Sequence, residues 1–326
     1  MDKFLILKGC AGLGNRLFTL INALSFCESS NRKLYVDWSD GQFAEKKVNI
    51  FSDFFTIKHP NYIEVLPQDF FESNDFYPKT WINNCEKSVY DLFQVGKPGY
   101  FVKNFPSYLL TPYYNSRKSQ LWVNKNFSSS YGFFDLFNKN NMSFGSGIPL
   151  QIKSKYIFYS DFLPRINNLS KIKFIVLKKE IKSEIEKWCL KYNLNKEFLG
   201  VHVRHTDKTP IKSINYLVEM IKEKHSSLSI FLSTDSHEVE RKFKIEFKDK
   251  LLIYPKEIHL KGNNKRGIHM WGMDNKNDTY KSEMLRFSII DMWLLSKCKF
   301  LIFQSNSSFS LFSKYLMSEN QNSYGW

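Results

Sequence analysis

Residues 198–208, FLGVHVRHTDK, constrain the fold more than any other stretch, because an apolar run stops abruptly in a cluster of ionisable side chains. Phe198, Leu199, Val201 and Val203 around Gly200 are too uniformly apolar for a strand with one wet face. They predict a strand buried in a parallel sheet. Alternation along it sets His202, Arg204 and Thr206 on one face and Val201, Val203 and His205 on the other. In open α/β sheets ligands bind beyond the carboxyl ends of the strands, so this strand end is the candidate site.

The flanking sequence supplies the rest of such a sheet. The segment Phe174 to Tyr192 places Ile181, Ile185, Trp188, Cys189 and Tyr192 on one helical stripe. Beyond Lys208 come a helix from Ile214 to Lys224, a strand from Ser229 to Asp235, a helix opened by Ser236, and a strand from Leu251 to Tyr254. This βαβα alternation implies a doubly wound parallel sheet. Tyr254 to Tyr280 reads as a long irregular loop, a length that is uncommon unless functional. Ser282 is expected to cap a helix that is apolar on nearly all sides from Leu285 to Leu295, with Asp291 inside it. A carboxylate there needs a partner, since burying it alone costs on the order of several kcal/mol. Phe300 to Phe303 is the last expected strand. Gln304 to Ser308 then turns into a helix from Phe309 to Met317, so Ser307 and Ser308 offer hydroxyls and N–H groups at a helix start, a setting suited to phosphate.

The N-terminal part opens in the same grammar. Phe4 to Leu7 is a short strand, Lys8 to Arg16 a glycine-rich turn, and Leu17, Leu20, Ile21, Leu24 and Cys27 recur at helical spacing. Lys33 to Trp38 closes a βαβ unit with Asp37 at its end. Such a turn can cradle a diphosphate on backbone N–H groups, but its G-x-x-G-x-G spacing matches neither dinucleotide nor P-loop fingerprints, and a tight structural turn explains it equally. Phe51, Phe54 and Phe55 form an amphipathic patch expected to pack. Between 61 and 164, Tyr113, Tyr114, Trp122, Tyr131, Phe133 and Phe134 are scattered among polar residues, where they fit either core packing or stacking on a sugar. The sequence changes character near Pro164, which divides it into domains 1–165 and 166–326.

Composition narrows the function classes. With 326 residues, 43% of them hydrophobic, the chain can build two domains of ordinary size. The formal charge of +15 could serve nucleic acid, an anionic membrane surface or an anionic small substrate. Its richest stretches, 171–187 and 222–250, interleave lysine with glutamate as solvated helix faces do. No zinc spacing, aromatic RNA-binding motif or basic arm accompanies them, so nucleic acid is not expected as a partner. Five scattered cysteines suggest neither a disulfide framework nor a metal site. They fit reduced thiols in a cytosolic protein. The N-terminal apolar stretch is too short for a signal peptide, and no window approaches a spanning helix.

Each candidate residue has a plain structural alternative. Arg204 could pair with Asp207, His202 could be a satisfied core histidine, and Asp235 could cap the following helix. Against this stands convergence, because an Arg, a His, an Asp and a serine-rich helix start all fall at the ends of successive strands. Arg is also the residue best shaped for bidentate phosphate contact.

The ordered set resembles a known family. His202-Val-Arg204-His-Thr-Asp207-Lys208 is similar to the H-x-R-x-x-D motif of GDP-fucose-dependent fucosyltransferases, particularly the α1,6-type group with the nodulation and core enzymes. Gly12-Leu13-Gly14-Asn15-Arg16 resembles that group's glycine-rich loop, Tyr35 to Trp38 its next strand, Leu232 to Asp235 its second motif, and Ile290 through Ser308 its third. The resemblance implies a GT-B-like α/β architecture of two Rossmann-like domains facing a cleft, with most of the donor held by the C-terminal one. It implies that Arg204 binds the β-phosphate and that His202 and Asp291 recognise guanine. Ser307 and Ser308 reach the diphosphate, Gly12 to Arg16 close over it, and Lys208 and Asp235 belong to the donor site. No D-x-D metal motif occurs, so Arg204, loop N–H groups and helix termini are expected to supply the electrostatics of an inverting reaction without a cofactor or divalent metal. Inversion needs a carboxylate base. Where core fucosyltransferases carry a glutamate shortly beyond the Asp-Lys pair, this chain has Lys212, which leaves Asp207 and Asp37 as candidates and the linkage open. A GDP-sugar donor and a glycan or lipid-linked oligosaccharide acceptor are the expected partners, with the basic charge compatible with peripheral contact on an anionic membrane. The rivals are another GDP-sugar as donor and a catalytically inactive nucleotide-sugar-binding protein.

Overall fold

The computed structural model describes residues 2–77, 79–93, 152–160, 164, 169–206, 210–256, 277–319 and 321–326. Asp207, Lys208, the aromatic residues from Tyr113 to Phe134 and most of the 254–280 loop lie outside the described residues. The chain divides into two compact units, Met1–Val176 and Leu177–Trp326.

In the first unit, β1 (Phe4–Lys8) lies between β2 (Lys33–Asp37) and β5 (Tyr156–Tyr159) in a four-stranded parallel sheet ordered β2-β1-β5-β4, with β4 at Phe76–Tyr77. All five β1 residues are buried, as a near-continuous apolar strand covered on both faces should be. Helix α1 (Leu13–Ser30) connects β1 to β2 and stops at Asn31, whose φ of 49° is the left-handed conformation that asparagine tolerates. Phe51, Phe54 and Phe55 are buried as expected, with the Trp38 and Phe51 rings edge to face at 5.1 Å. Phe55 belongs to β3 (Phe55–Ile57), which pairs with β6 (Ile175–Leu177).

In the second unit, β7 (Phe198–Val203) is the centre of a five-stranded parallel sheet ordered β11-β10-β7-β8-β9. Its companions are β8 (Ser229–Thr234), β9 (Leu251–Leu252), β10 (Phe300–Phe303) and β11 (Asn322–Gly325). The helices are α2 (Lys179–Tyr192), α3 (Ile214–His225), α4 (His237–Phe247), α5 (Asp278–Lys297) and α6 (Ser308–Tyr315). Leu199, Val201 and Val203 on one face of β7 pack with Leu217, Val218 and Ile221 of α3 and with Val239 and Phe243 of α4. The opposite face carries Gly200, where a Cβ would sit 3.2 Å from Cys298 Cβ and from the Leu295 carbonyl oxygen. The missing side chain therefore lets α5 close on the strand. Leu285, Ile289, Ile290, Met292, Leu294 and Leu295 of α5 are buried, each contributing about 1.5–3 kcal/mol. That close approach carries Asp291 down to the sheet.

Several elements differ from the sequence expectation, the strand expected from Leu251 to Tyr254 among them, since it spans only Leu251–Leu252. Phe174 ends a 3-10 turn and residues 175–177 form β6, so the helix begins only at Lys179. Helix α5 is capped by Asn277, whose Oδ1 accepts from the Tyr280 N–H at 3.1 Å, while Ser282 lies inside it and donates to the Thr279 carbonyl. The last helix spans Ser308–Tyr315, not Phe309 to Met317. Strand β11 was not anticipated, because its sequence NSYG has no apolar run. Among the described residues no helix is long and apolar enough to cross a membrane.

Candidate functional site

The loops beyond β7, β8 and β10 are tied together at their first residues. The Arg204 N–H donates to Gln304 Oε1 at 2.7 Å. The His205 N–H donates to Asp235 Oδ1 at 2.7 Å, and the Thr206 hydroxyl donates to Asp235 Oδ2 at 2.5 Å. Asp235 thus braces the exit of β7 with both carboxylate oxygens. It does not cap α4, a task that falls to Ser236, whose Oγ accepts from the Val239 N–H at 3.4 Å.

Beneath these loops lies a buried polar cluster on the α5 and α6 side of the sheet. His202 stacks on Phe309 at 4.9 Å, its Nδ1 bonds to the Ser310 hydroxyl, and its carbonyl accepts from Trp326 Nε1 at 3.3 Å. Burial first, and then the positive charges of Arg204 and Lys256, push the imidazole pKa down to about 3. His202 is therefore neutral at physiological pH and presents hydrogen-bonding nitrogens without charge. In register with it on β8, Ser233 donates to Asp291 Oδ2 at 2.9 Å, and Lys256 Nζ pairs with the same oxygen. This is the partner that the burial of Asp291 required, and it serves one oxygen only. Among the described residues Asp291 Oδ1 is buried with no hydrogen-bond partner, and so is the Oγ of Ser307, the fully buried N-cap residue of α6. A buried polar atom left unpaired is costly, so two of them within one cluster mark where a ligand would complete it.

Beside the cluster, Pro255, Lys256, Asn277, Thr279, Tyr280, Glu283 and Phe287 line a hollow of about 730 Å³. Lys212 stands away from the buried groups on the surface, bonded to the Tyr216 hydroxyl at 3.0 Å. Among the described residues no group of three or more His, Cys, Asp or Glu is placed to hold a metal ion.

The glycine-rich segment of the first unit is differently made. Gly12 is the N-cap of α1, and Leu13, Gly14, Asn15 and Arg16 form its first turn. Arg16 is 2% exposed. Its Nη1 and Nη2 clamp Asp40 at 3.0 and 2.7 Å, Nη2 also donates to Gln42 at 2.6 Å, and Nε donates to the Ala11 carbonyl at 2.9 Å. Gly9 makes room for it, since a Cβ there would lie 2.3 Å from Nη1. Arg16, read from sequence as donor-binding, has its guanidinium bonded to Asp40, Gln42 and the Ala11 carbonyl and so holds its own turn. Asp37, read as a candidate base, accepts from Lys8 at 2.6 Å and from the Ser39 N–H at 3.0 Å. Burial pulls its pKa up, but the charge of Lys8 and the hydrogen bonds from Lys8 and Ser39 outweigh that and hold it below the usual carboxylate range. A base for neutral pH needs the reverse shift, so Asp37 is an ion-pair carboxylate.

The structure therefore brings together His202, Arg204, Asp235, Asp291, Ser307 and Ser308 within the second unit. It adds Ser233, Lys256, Gln304, Phe309 and Ser310, which sequence reasoning did not single out. Gln304 carried one readable signal, its position as the first residue past a buried strand.

No protein-family model matches the sequence, and no curated protein matches it significantly. Solved structures match it in fold. The NodZ α-1,6-fucosyltransferase soaked with GDP-fucose superposes with a TM-score of 0.61 at 19% identity, over 97% of this chain and 93% of that one. A mutant of Arabidopsis thaliana FUT1 in complex with GDP gives 0.55 at 12% identity, over 100% of this chain and 70% of that one. POFUT1 in complex with GDP gives 0.52 at 16% identity, over 100% and 99%. The architecture is thus the GT-B-like α/β fold with parallel sheets that the sequence predicted.

Proposed function

We propose that this chain is a glycosyltransferase that moves L-fucose from GDP-fucose to a glycan or lipid-linked oligosaccharide acceptor, inverting the anomeric carbon without a divalent metal. The observation that carries the reading is the pair of buried oxygens, Asp291 Oδ1 and Ser307 Oγ, that have no hydrogen-bond partner among the described residues and lie toward the carboxyl ends of a parallel sheet. The fold of enzymes solved with GDP-fucose or GDP supports it. In this reading neutral His202 and Asp291 meet the guanine, and Arg204 and the start of α6 at Ser307 and Ser308 meet the diphosphate. Charge developing on the leaving diphosphate is stabilised by the Arg204 guanidinium and by the helix N-terminus, both fixed before the reaction begins. Asp235 acts by holding the β7 exit. Asp207, three residues beyond Arg204, is the base that remains once Asp37 is committed to Lys8, and Lys208 belongs to the donor side.

Isothermal titration with GDP-fucose tests this reading. Wild-type binding that Arg204→Ala leaves unchanged would remove it, and donor hydrolysis across a panel of nucleotide sugars decides between fucose and another GDP-sugar. Lys212 favours a second reading, a protein that binds the nucleotide sugar without turnover. Donor binding with no product on a glycan array would establish that instead.

A further inference from the structure

The Lys256–Asp291 pair has a consequence for how the site opens. Asp291 Oδ2 already accepts from Ser233 and from Lys256, while Oδ1 accepts nothing from the described residues. Guanine offers a carboxylate two adjacent donors, N1–H and N2–H, and a bidentate contact uses both oxygens. For that contact Oδ2 must release one of its partners. Ser233 is fixed in the middle of the sheet, paired in register with His202. Lys256 stands at the end of a four-carbon stem beyond β9, so it is the partner that can leave.

The fold provides a place for it to go. Tyr280, Glu283, Phe287 and Asp291 follow at spacings of three, four and four residues along α5, which puts them on one helical stripe. Lys256 and Glu283 line the same hollow of about 730 Å³, and Phe287 separates Glu283 from Asp291 along the helix. Glu283 lies a little over two turns from Asp291, roughly 12 Å along the axis. Its carboxylate is half exposed, held only by a 3.7 Å contact with Arg286 among the described residues. Lys256 thus pairs with one carboxylate at the base site, and a second carboxylate lines the same hollow.

We propose that Lys256 is a built-in competitor for the nucleobase. In the ligand-free chain it neutralises Asp291 and occupies the edge that guanine reads, and on nucleotide binding it swings into the hollow and pairs with Glu283. The inference rests on the nucleotide reading of this site and adds a self-closing step to it. Its effect is a lower apparent affinity, reduced by the fraction of molecules in which Asp291 is uncovered.

The test is calorimetric titration of GDP into the full chain, with thermal unfolding recorded with and without GDP, for wild type, Lys256→Met and Glu283→Gln. Lys256→Met is expected to bind GDP about tenfold more tightly if the closed form holds roughly 90% of the molecules. It should also melt earlier without ligand, because Asp291 has lost its cation. Glu283→Gln is expected to bind about two- to threefold more weakly, since the displaced lysine has lost its second partner. Simple charge effects on an anionic ligand predict the opposite sign in both variants, which makes the directions diagnostic. Wild-type binding with equal or weaker binding by Lys256→Met overturns the competitor and leaves the nucleotide reading standing. Binding by Lys256→Met alone supports both, and binding by neither protein overturns both. If Lys256→Met does not fold, Glu283→Gln decides: weaker binding sustains the proposal, and equal or tighter binding overturns it.

Discussion

Around Arg16 in the first unit the guanidinium donates to Asp40, Gln42 and the Ala11 carbonyl, and Tyr90 links the Ala11 N–H to Gln42 through its hydroxyl, while only the indole N–H of the neighbouring Trp38 is buried without a partner among the described residues of this cluster. Around Asp291 in the second unit, two buried oxygens, Asp291 Oδ1 and Ser307 Oγ, stay unpaired among the described residues. Both clusters grow from the same grammar, a buried parallel strand running into a turn and a helix. They differ in whether the polar account closes within the chain. A closed network holds a turn rigid, whereas an open one waits for a ligand, so satisfaction of buried groups separates scaffold from site where residue type alone does not.

The sharpest way to break the comparison is to open the closed network. Asp40→Ala leaves the Arg16 guanidinium buried with its charge unpaired, beside an Asp40 that is itself 5% exposed in the wild type. Breaking such a pair from one side is expected to cost about 3–5 kcal/mol. Urea unfolding followed by circular dichroism should show a large loss of stability in this variant. A change under about 1 kcal/mol would mean the network is not the brace described here.

Arg204→Ala probes the open cluster. The loop-bracing bond to Gln304 comes from the backbone N–H, which alanine retains, so the fold should persist. Loss of a charge-assisted contact to phosphate is worth about 1.5–3 kcal/mol, or roughly 10- to 100-fold in the dissociation constant for GDP. Arg16→Ala should do the reverse, lowering stability more than it lowers the intrinsic affinity of the folded molecules. Equal affinity losses without instability in both variants would erase the distinction between the two regions.

Much of this contrast is legible in the sequence, and the parts that are not share a cause. Strands β7, β8 and β10 announce themselves as apolar runs ending in His202, Arg204, Asp235 and Gln304, because burial on both faces leaves a local signature. The β11 strand leaves none. It is an edge strand of polar residues held by pairing with β10 and by Trp326, whose N–H meets the Phe303 carbonyl. The start of α5 was misplaced because Asn277 and Ser282 are both acceptable caps, and only the bond to Tyr280 chooses between them. The sequence reads Arg16 as donor-binding and Asp37 as a candidate base because their partners, Asp40, Gln42 and Lys8, are recognisable only once the chain has folded. Lys256 was invisible for the same reason, being 35 residues from Asp291.

His202 offers a pH test of the open cluster. Its folded pKa, pushed down to about 3, lies below the ordinary histidine value of about 6.5. Above pH 6.5 neither state is protonated, and the contribution to stability is full. As pH falls below that, the unfolded chain takes up a proton that the folded chain refuses, so stability declines by about 1.4 kcal/mol per pH unit. His59 and His225 are also lowered, chiefly by burial, and add slope of the same sign. The measurement is therefore the difference between wild type and His202→Gln from pH 6.5 to 4.5, above the range where Asp37 titrates. A slope of one proton should disappear in the variant, and parallel curves would mean that His202 is protonated in the folded protein.

The smallest effects draw the comparison most finely. Tyr90→Phe in the closed network removes one hydroxyl and strips a partner from both the Ala11 N–H, bonded at 2.7 Å, and Gln42 Oε1, bonded at 3.0 Å. Leaving buried groups unsatisfied costs about 1–3 kcal/mol. Ser307→Ala in the open cluster also removes one buried hydroxyl, but this one has no partner to strip among the described residues. Its deletion should leave thermal stability unchanged or slightly raised, while GDP binding weakens by a few-fold because the hydroxyl's only use is toward ligand. Two hydroxyl deletions of equal size are thus expected to part company, one read in the melting curve and the other in the titration. Equal destabilisation by both would show that Ser307 has a partner within the chain and that the second cluster is as closed as the first.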